Sequence, residues 1–494
     1  LPVTLKTIKE IFAIIVARVP IIRLISFCLF VSIMSTAELP SHVFKAYDIR
    51  GEVPEALNAD FATLLGRSLA GRAKLAGVEA MVIGYDGRLS SPTLAQALAR
   101  GMHEGGIDTI DIGQVPTPLV YYAANTLGTG SGVAITGSHN PPQYNGFKMM
   151  LAGRTLYGDD ITSLRSDMSR PKAIASNAGA ARVLDIKPDY LKRVLGDVKL
   201  ARPMRIAVDC GNGVAGEIAP ALFRAMGCEV VELFCEVDGG FPNHHPDPAD
   251  PHNLEDLIKA VELEGCEVGL AFDGDGDRLG VVTSQGEIIW PDRQMILFAR
   301  DVLSRQPGSK ILFDVKCSRQ LPLAIAAAGG EPVMCRTGHS LVKAKLIETG
   351  APLAGEMSGH IFFKERWYGF DDGLYTAARL LEILSRAPNS TAVLSGLPTA
   401  FSTPELKLEM SEGEPFVLID KLQAQGSFPG ALHVSTIDGV RVDYADGFGL
   451  ARPSNTTPVV VLRFEGDTPM ALDRIKTQFR QQLIALAPHA RLPF

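Results

Sequence analysis

Three aspartates, Asp273, Asp275 and Asp277, stand at alternate positions in AFDGDGDR, directly after the apolar start of that run in VGLAF. Carboxylates this close repel one another unless a hard cation sits among them, and Mg²⁺ or Ca²⁺ takes oxygen ligands of this kind. The intervening glycines let the backbone curl so that the three side chains converge. A solvated acidic turn is the plainer reading of an isolated D-x-D pattern. An EF-hand is excluded: counting from Asp273 puts Arg278 where the sixth-position glycine belongs and Ser284 where the twelfth-position glutamate belongs. Arg278, next to the last aspartate, points instead to a metal and a guanidinium meeting around an anion such as a phosphate.

Other loops carry complementary groups. Ser138 lies in TGSHNPPQYNGFK, rich in Gly, Asn and Pro, after an apolar strand-like run. Its hydroxyl is therefore expected to be presented, which suits nucleophilic chemistry; a serine that merely caps a turn is the alternative. The GxSxG elbow is absent and the adjacent His139 cannot be assumed to act as a base, so serine-esterase chemistry is disfavoured. A serine carrying a phosphoryl group needs a divalent cation near its oxygens and a cationic partner, which Mg²⁺, Lys148 and Arg278 could supply. In GEMSGHIFF, Glu356, Ser358 and His360 alternate, so in an extended segment all three would point one way and suit vicinal sugar hydroxyls. RPSNTTP offers Arg452, Ser454, Asn455, Thr456 and Thr457, either an anion cradle or an ordinary Ser/Thr turn. RTGHS adds Arg336 and His339, a candidate for proton transfer, and KAYDIRG adds Tyr47 and Arg50.

The elements that must position these loops repeat along the chain. Three apolar runs end at an aspartate and enter a turn: MVIGYDGR, RIAVDCGNG and KILFDVKCS. Further along each copy come, in the same order, an amphipathic helical stretch, a short apolar strand and one of the polar loops. Continuous apolar strands alternating with helices predict α/β domains with mixed, mostly parallel sheets covered on both faces. The polar loops then fall at carboxyl ends of strands, where ligands gather. From about Ala400 the alternation in GVRVDYADG and PVVVLRFEG predicts antiparallel strands in a C-terminal α+β unit. The expected domains are residues 35–184 with the serine loop, 185–287 with the metal loop, 288–399 with the Glu356 loop and 400–494 with the Arg452 loop.

A chain of 494 residues is too long for one core, in keeping with several domains. Its 46% hydrophobic and 21% charged residues fit a soluble globular protein, and the net charge of -7 argues against nucleic-acid binding. Seven cysteines without C-x-x-C spacing read as packed thiols of a reducing, cytoplasmic compartment, so neither a disulfide framework nor zinc is expected. Residues 1–34 form an apolar, basic extension. Arg18, Pro20 and Arg23 interrupt it, so no stable membrane association is expected, although LISFCLFVSI resembles a short signal-peptide core. Because Met34 is the first methionine, the extension is read as a start assigned too far upstream, with targeting as the alternative.

Together and in this order, KAYDIRG, TGSHNPPQYNGFK, DGDGDR, RTGHS, GEMSGH and RPSNTTP resemble the α-D-phosphohexomutase superfamily, from about residue 43 to the C-terminus. Within it, the methionine of GEMSGH and the SNTTP loop are most similar to the bacterial bifunctional phosphomannomutase/phosphoglucomutase branch. The resemblance implies four domains around a central cleft, an isomerase, and transfer of phosphate between O6 and O1 of mannose or glucose through a phosphoserine and a hexose 1,6-bisphosphate, which also serves as activator. It implies Ser138 as the phosphorylated residue and a Mg²⁺ ligand beside Asp273, Asp275 and Asp277. Lys148, Arg278, His339 and Arg50 would serve transfer or proton handling. Glu356, Ser358 and His360 would bind sugar hydroxyls; Arg452, Ser454, Asn455 and Thr456 would hold the non-reacting phosphate; Tyr47 and Arg50 would line the serine side. Hexose phosphates are the expected partners and a monomer the favoured state. A phosphoglucosamine mutase, a Mg²⁺-dependent sugar phosphatase and a non-catalytic sugar-phosphate binder are the rival readings.

Overall fold

The computed structural model describes residues 39–170, 174–455 and 457–494. The expected N-terminal extension, residues 1–34, and Thr456 lie outside the described residues. Of the two units into which the chain divides, Leu1–Ser41 and His42–Phe494, the second carries every element discussed below.

Four sheets follow one another along the chain. The first contains β1 (Ile49–Glu52), β2 (Ala80–Tyr85), β3 (Asp108–Gln114), β4 (Gly132–Ile135), β5 (Tyr144–Leu151), β6 (Arg154–Thr155) and β7 (Ala181–Val183), ordered β1-β5-β4-β2-β3-β7 with β6 beside β5. The second contains β8 (Arg205–Asp209), β9 (Glu229–Leu233), β10 (Val268–Phe272) and β11 (Leu279–Thr283), ordered β11-β10-β8-β9. The third contains β12 (Lys310–Asp314), β13 (Glu331–Cys335), β14 (Leu353–Gly355) and β15 (Ile361–Phe363), ordered β13-β12-β14-β15.

One pattern recurs in all three. Two parallel partners flank the first strand of the repeat, and the last strand returns antiparallel beside the third, as in β5-β4-β2-β3. The loops singled out by their chemistry are the same connection each time, from third strand to fourth: β4 to β5, β10 to β11 and β14 to β15. Every residue of β4, β10 and β14 is buried, as expected when helices cover both faces of a sheet.

The fourth sheet is antiparallel: β16 (Phe401–Ser402), β17 (Leu406–Glu409), β18 (His433–Ser435), β19 (Val440–Tyr444), β20 (Gly447–Pro453) and β21 (Val459–Gly466), in the order β16-β21-β20-β19-β18 with β17 on β21. Alternating sequence in an antiparallel sheet ordinarily marks a solvated face, yet every residue of β20 and β21 is buried. Arginines of β19 and β21 face the third domain. Arg441 donates to the carbonyls of Val315 and Cys317, both at 2.7 Å, and Arg463 donates to Lys316 O at 2.7 Å and to Asp292 at 3.1 Å.

This polar seam contrasts with the rest of the molecule. The first three domains share one continuous apolar core, through residues such as Tyr122, Tyr190, Phe223, Phe298 and Trp367. The fourth keeps its own core around Leu408, Leu462 and Phe479, and a small cluster of Val315, Phe448 and Leu450 spans the seam. An interface made mainly of directional polar contacts is the natural place for relative domain motion. Among the described residues no helix is long and apolar enough to cross a membrane.

Candidate active site

Ser138 sits in the left-handed region at φ 50°, a conformation that turns its loop sharply away from β4. The residue that holds this turn is one whose role was not evident in the sequence. Arg88, 1% exposed, donates to four backbone carbonyls: Ser138 at 2.7 Å, Asn140 at 2.6 Å, Pro141 at 2.6 Å and Tyr144 at 3.0 Å. Asp86 balances its charge at 3.1 Å and also accepts from Gly137 N at 3.1 Å. A Cβ on Gly137 would lie 2.5 Å from the guanidinium, so glycine is what lets the arginine approach. Arg50 adds a second tie, donating to Asn140 Oδ1 at 2.5 Å while paired with Asp48 at 2.6 Å.

The serine Oγ lies 3.2 Å from Asp273 Oδ2 and 3.1 Å from His139 Nδ1. Asp273, Asp275 and Asp277 are all 0% exposed, and ligand atoms from the three lie within 4.8 Å of one another. The curl between them is fixed by Asp273 Oδ1, which accepts from the backbone N–H of Asp277 at 3.1 Å and of Arg278 at 3.2 Å. Thr117, at the start of the helix Thr117–Thr126, anchors Asp275 from the first domain: its hydroxyl donates to Oδ2 at 2.7 Å and its N–H to the carbonyl at 2.9 Å.

Charge is compensated only in part. Lys148 Nζ bridges Asp275 Oδ2 at 2.7 Å and Asp277 Oδ2 at 2.5 Å. Burial works against the ammonium, but these carboxylates hold it well above its ordinary pKa. Burial, with Asp277 and Asp275, pushes the Asp273 carboxyl well up. Asp275 Oδ1 is buried and accepts no hydrogen bond among the described residues, and Asp277 Oδ1, also buried, has the His360 imidazole 3.3 Å away. A buried carboxylate oxygen without a donor, beside a carboxyl reluctant to ionise, fits a site built for a divalent cation, and the oxygen-only set of the three aspartates suits a hard one.

The third-domain loop departs from the sequence-based expectation. Residues 356–360 form a tight turn rather than an extended comb: Gly359 N donates to Glu356 O at 3.1 Å, Glu356 N to His360 O at 2.9 Å, and Gly359 has φ 102°. The turn still gathers the three side chains, since His360 Nδ1 lies 3.2 Å from Glu356 Oε2 and 2.9 Å from Ser358 Oγ. His360 Nε2 lies 3.3 Å from Asp277 Oδ1; against burial, that carboxylate pushes the imidazole up to about 9. Arg278, 3.6 Å from Asp273 and 3.8 Å from Asp247, borders the same ring.

His339 opens the helix His339–Thr349 and stacks on His360 with ring centres 5.5 Å apart. Burial and the neighbouring Lys343 lower its pKa, so it is neutral near pH 7. Its Nδ1 lies 3.3 Å from Asp371, a fully buried carboxylate paired with Lys343 at 2.8 Å. Asp371 belongs to FDDG, a run without any local signal of this contact.

Two clusters thus emerge. Ser138, Lys148, Arg278, His339, Glu356, Ser358, His360 and the three aspartates come together, with Arg50 behind the serine. Arg452 and Asn455 assemble a short way off, joined to the first cluster through Gly338, whose N–H donates to Glu356 at 2.5 Å. Arg452 donates to Asp438 at 3.0 Å, and Asp438 accepts from Thr337 N at 3.0 Å. Ser454 Oγ accepts from Thr457. Tyr47 corrects its expected place on the serine side: its hydroxyl donates to Thr337 O at 2.8 Å and accepts from Asn455 Nδ2, bridging the third and fourth domains. Arg336 is exposed on the loop before His339.

The sequence signatures of phosphoglucomutase/phosphomannomutase cover the chain in order: alpha/beta/alpha domain I over residues 41–173, domain II over 188–286, domain III over 290–401 and the C-terminal domain over 405–482. A phosphomannomutase/phosphoglucomutase of Pseudomonas aeruginosa is 54% identical over 465 residues, 93% of this chain and 100% of that protein. A phosphoglucomutase of Neisseria meningitidis is 53% identical over 446 residues, 90% of this chain and 97% of that protein. The crystal structure of a phosphoglucomutase/phosphomannomutase family protein from Burkholderia thailandensis is 55% identical and superposes with a TM-score of 0.88, covering 92% of this chain and 100% of that one. With all four domains matched in order and more than half the residues shared along nine tenths of its length, the chain belongs to the phosphoglucomutase/phosphomannomutase family.

Proposed function

We propose that this chain is a phosphohexomutase that interconverts hexose 6-phosphate and hexose 1-phosphate, with mannose and glucose as its sugars, through phosphoserine at Ser138 and a hexose 1,6-bisphosphate. The observation that carries this reading is the approach of Ser138 Oγ to 3.2 Å from a buried three-aspartate cluster. Relatives named phosphomannomutase/phosphoglucomutase support the substrate pair. In this reading the protein acts as a monomer in the cytoplasm.

Asp273, Asp275 and Asp277 would hold Mg²⁺, with an oxygen of phosphorylated Ser138 as a further ligand. When bound, the cation neutralises charge on phosphoryl oxygens and on the departing serine oxygen. Lys148 and Arg278 face the phosphoryl group from the protein side, where buried cations stabilise developing charge at no cost of reorganisation. Neutral His339, oriented by Asp371, accepts the proton of the attacking sugar hydroxyl in one half-reaction and returns it in the other. Glu356, Ser358 and His360 bind sugar hydroxyls, while Arg452, Ser454, Asn455 and Thr456 hold the phosphate that is not reacting. The bisphosphate then turns end for end and gives its other phosphate to Ser138; free hexose 1,6-bisphosphate primes the serine. Closure of the fourth domain over its polar seam keeps water from the phosphoserine.

Parallel coupled assays on mannose 1-phosphate, glucose 1-phosphate and glucosamine 1-phosphate, with Mg²⁺ and a trace of hexose 1,6-bisphosphate, test the reading. Comparable turnover of the first two and little of the third is expected. Preference for the amino sugar, or inorganic phosphate released as fast as sugar is isomerised, would refute it.

Arg88 supplies a separate test. A lysine there cannot reach four carbonyls with one point charge, so Arg88→Lys is expected to loosen the serine turn and lower kcat by about 100-fold with little change in KM. Steady-state kinetics of the variant, with proteolytic nicking near Pro141 as a readout of loop order, check this.

A further inference from the structure

Away from the reacting groups, two thiols of the second domain touch. Cys210 directly follows β8 and is buried; Cys235 follows β9 and is partly exposed; their Sγ atoms lie 3.6 Å apart. The strands β8 and β9 are parallel neighbours in register from Arg205↔Glu229 to Asp209↔Leu233, and Cys210 N donates to Leu233 O at 3.1 Å, so the contact sits at the end of a fixed ladder. Adjacent strands bring residues within the span that a disulfide bridges, and these two sulfurs are already in contact.

What lies beyond the pair gives the contact a consequence. The turn after Cys210 runs through Gly211 at φ 50° and Asn212 at φ 60°, and Asn212 N donates to Phe234 O at 2.8 Å. This turn packs on the aspartate loop: Val214 N donates to Gly274 O at 3.2 Å, and a Cβ on Gly213 would lie 3.0 Å from Gly274 Cα. On the other side, a Cβ on Gly216 would lie 2.0 Å from Cys235 O. The segment between Cys210 and the aspartate loop is thus packed from both ends, against Cys235 on one side and against Gly274, between Asp273 and Asp275, on the other.

We propose that Cys210 and Cys235 are a reversible disulfide-forming pair, a modification site that couples thiol oxidation to the aspartate loop. The oxidant is a small-molecule disulfide. Cys235, the more exposed thiol, loses its proton and attacks one sulfur of the oxidant, forming a mixed disulfide and releasing one thiol. Cys210 then attacks Cys235 Sγ; the Cys210–Cys235 bond forms, the mixed disulfide breaks, and the Cys210 proton leaves with the second thiol. Contact with Cys235 and burial hold the Cys210 thiol well up, which makes it the later, intramolecular partner. Two protein thiols are oxidised and one oxidant disulfide is reduced to two thiols.

The test uses the full chain, reduced and then exposed to glutathione disulfide, quenched by alkylation in denaturant and digested for mass spectrometry. Dithiothreitol-reversible linkage of the Cys210 and Cys235 peptides, with Cys28, Cys228, Cys266, Cys317 and Cys335 alkylated, is expected. The oxidised chain should need about tenfold more Mg²⁺ for half-activation, the size of effect typical when support around a metal loop shifts. Cys235→Ser and Cys235→Ala should keep basal turnover and lose both the linkage and the effect. Absence of the linkage, a glutathione adduct that stays on Cys235, or linkage with unchanged Mg²⁺ half-activation would overturn the proposal. The linkage is read without any assay of turnover, so its outcome is independent of the sugar-phosphate reading, on which the Mg²⁺ half-activation rests.

Discussion

Replacing Ser138 by alanine is expected to lower turnover of mannose 1-phosphate and glucose 1-phosphate by about four orders of magnitude or more, the scale on which loss of a covalent nucleophile is felt, while the fold is kept. The asymmetry follows from how the residue is held. Its structural contacts run through the backbone: N–H donates to Thr136 Oγ1 at 2.8 Å and the carbonyl accepts from Arg88 at 2.7 Å. Alanine keeps both. What it removes is Oγ, whose partners are Asp273 and His139, a loss of about 1 kcal/mol of stability by the usual worth of a hydrogen bond. Coupled kinetics together with the mass of the Ser138 peptide after incubation with hexose 1,6-bisphosphate measure both sides. Turnover within tenfold of the parent, or a phosphate found on another residue, would take Ser138 out of the reaction.

The strand runs ending in aspartate revealed the three-fold repeat because a parallel strand covered on both faces must be apolar at every position, and few other local structures read that way. The convergence of the three aspartates was equally legible, since glycines between them let the backbone curl. The limits of that legibility are as physical. Glu356, Ser358 and His360 alternate, but alternation is a property of extended backbone, and Gly359 at φ 102° makes the segment a turn. Arg441 and Arg463 have the pattern of a solvated face; that face is covered by carbonyls of Val315, Lys316 and Cys317, more than a hundred residues away in sequence. Arg88, Thr117 and Asp371 act through contacts between distant segments, and a residue that serves as a partner to backbone carbonyls or to another side chain leaves no periodicity to read. The Asp86–Arg88 pair was visible only as the marker of a repeat.

Lys148 is where electrostatics and catalysis can be separated. Its ammonium is 2% exposed and offsets two carboxylates that are fully buried. Lys148→Met keeps much of the volume and removes the charge, leaving Asp275 and Asp277 without their cation; breaking a buried pair in this way costs about 3–5 kcal/mol. The folded-state pKa of the lysine lies above its ordinary 10.5, so its contribution is complete below that value and is lost only as pH rises past the folded pKa. The destabilisation should therefore be level across neutral pH. A divalent cation held by the aspartates would supply the charge that Lys148 supplied, so Mg²⁺ should raise the unfolding temperature of Lys148→Met by more than that of the parent chain and should bind the variant more tightly in calorimetry. Turnover should not recover with it: kcat is expected to stay about 100-fold or more below the parent even at saturating Mg²⁺, because in the proposed reaction the lost ammonium also faces the phosphoryl group. If Mg²⁺ restored stability and turnover together, Lys148 would be a counter-ion to the aspartates and nothing more. If Mg²⁺ stabilised the two chains equally, the carboxylates it bridges would not be the cation's ligands.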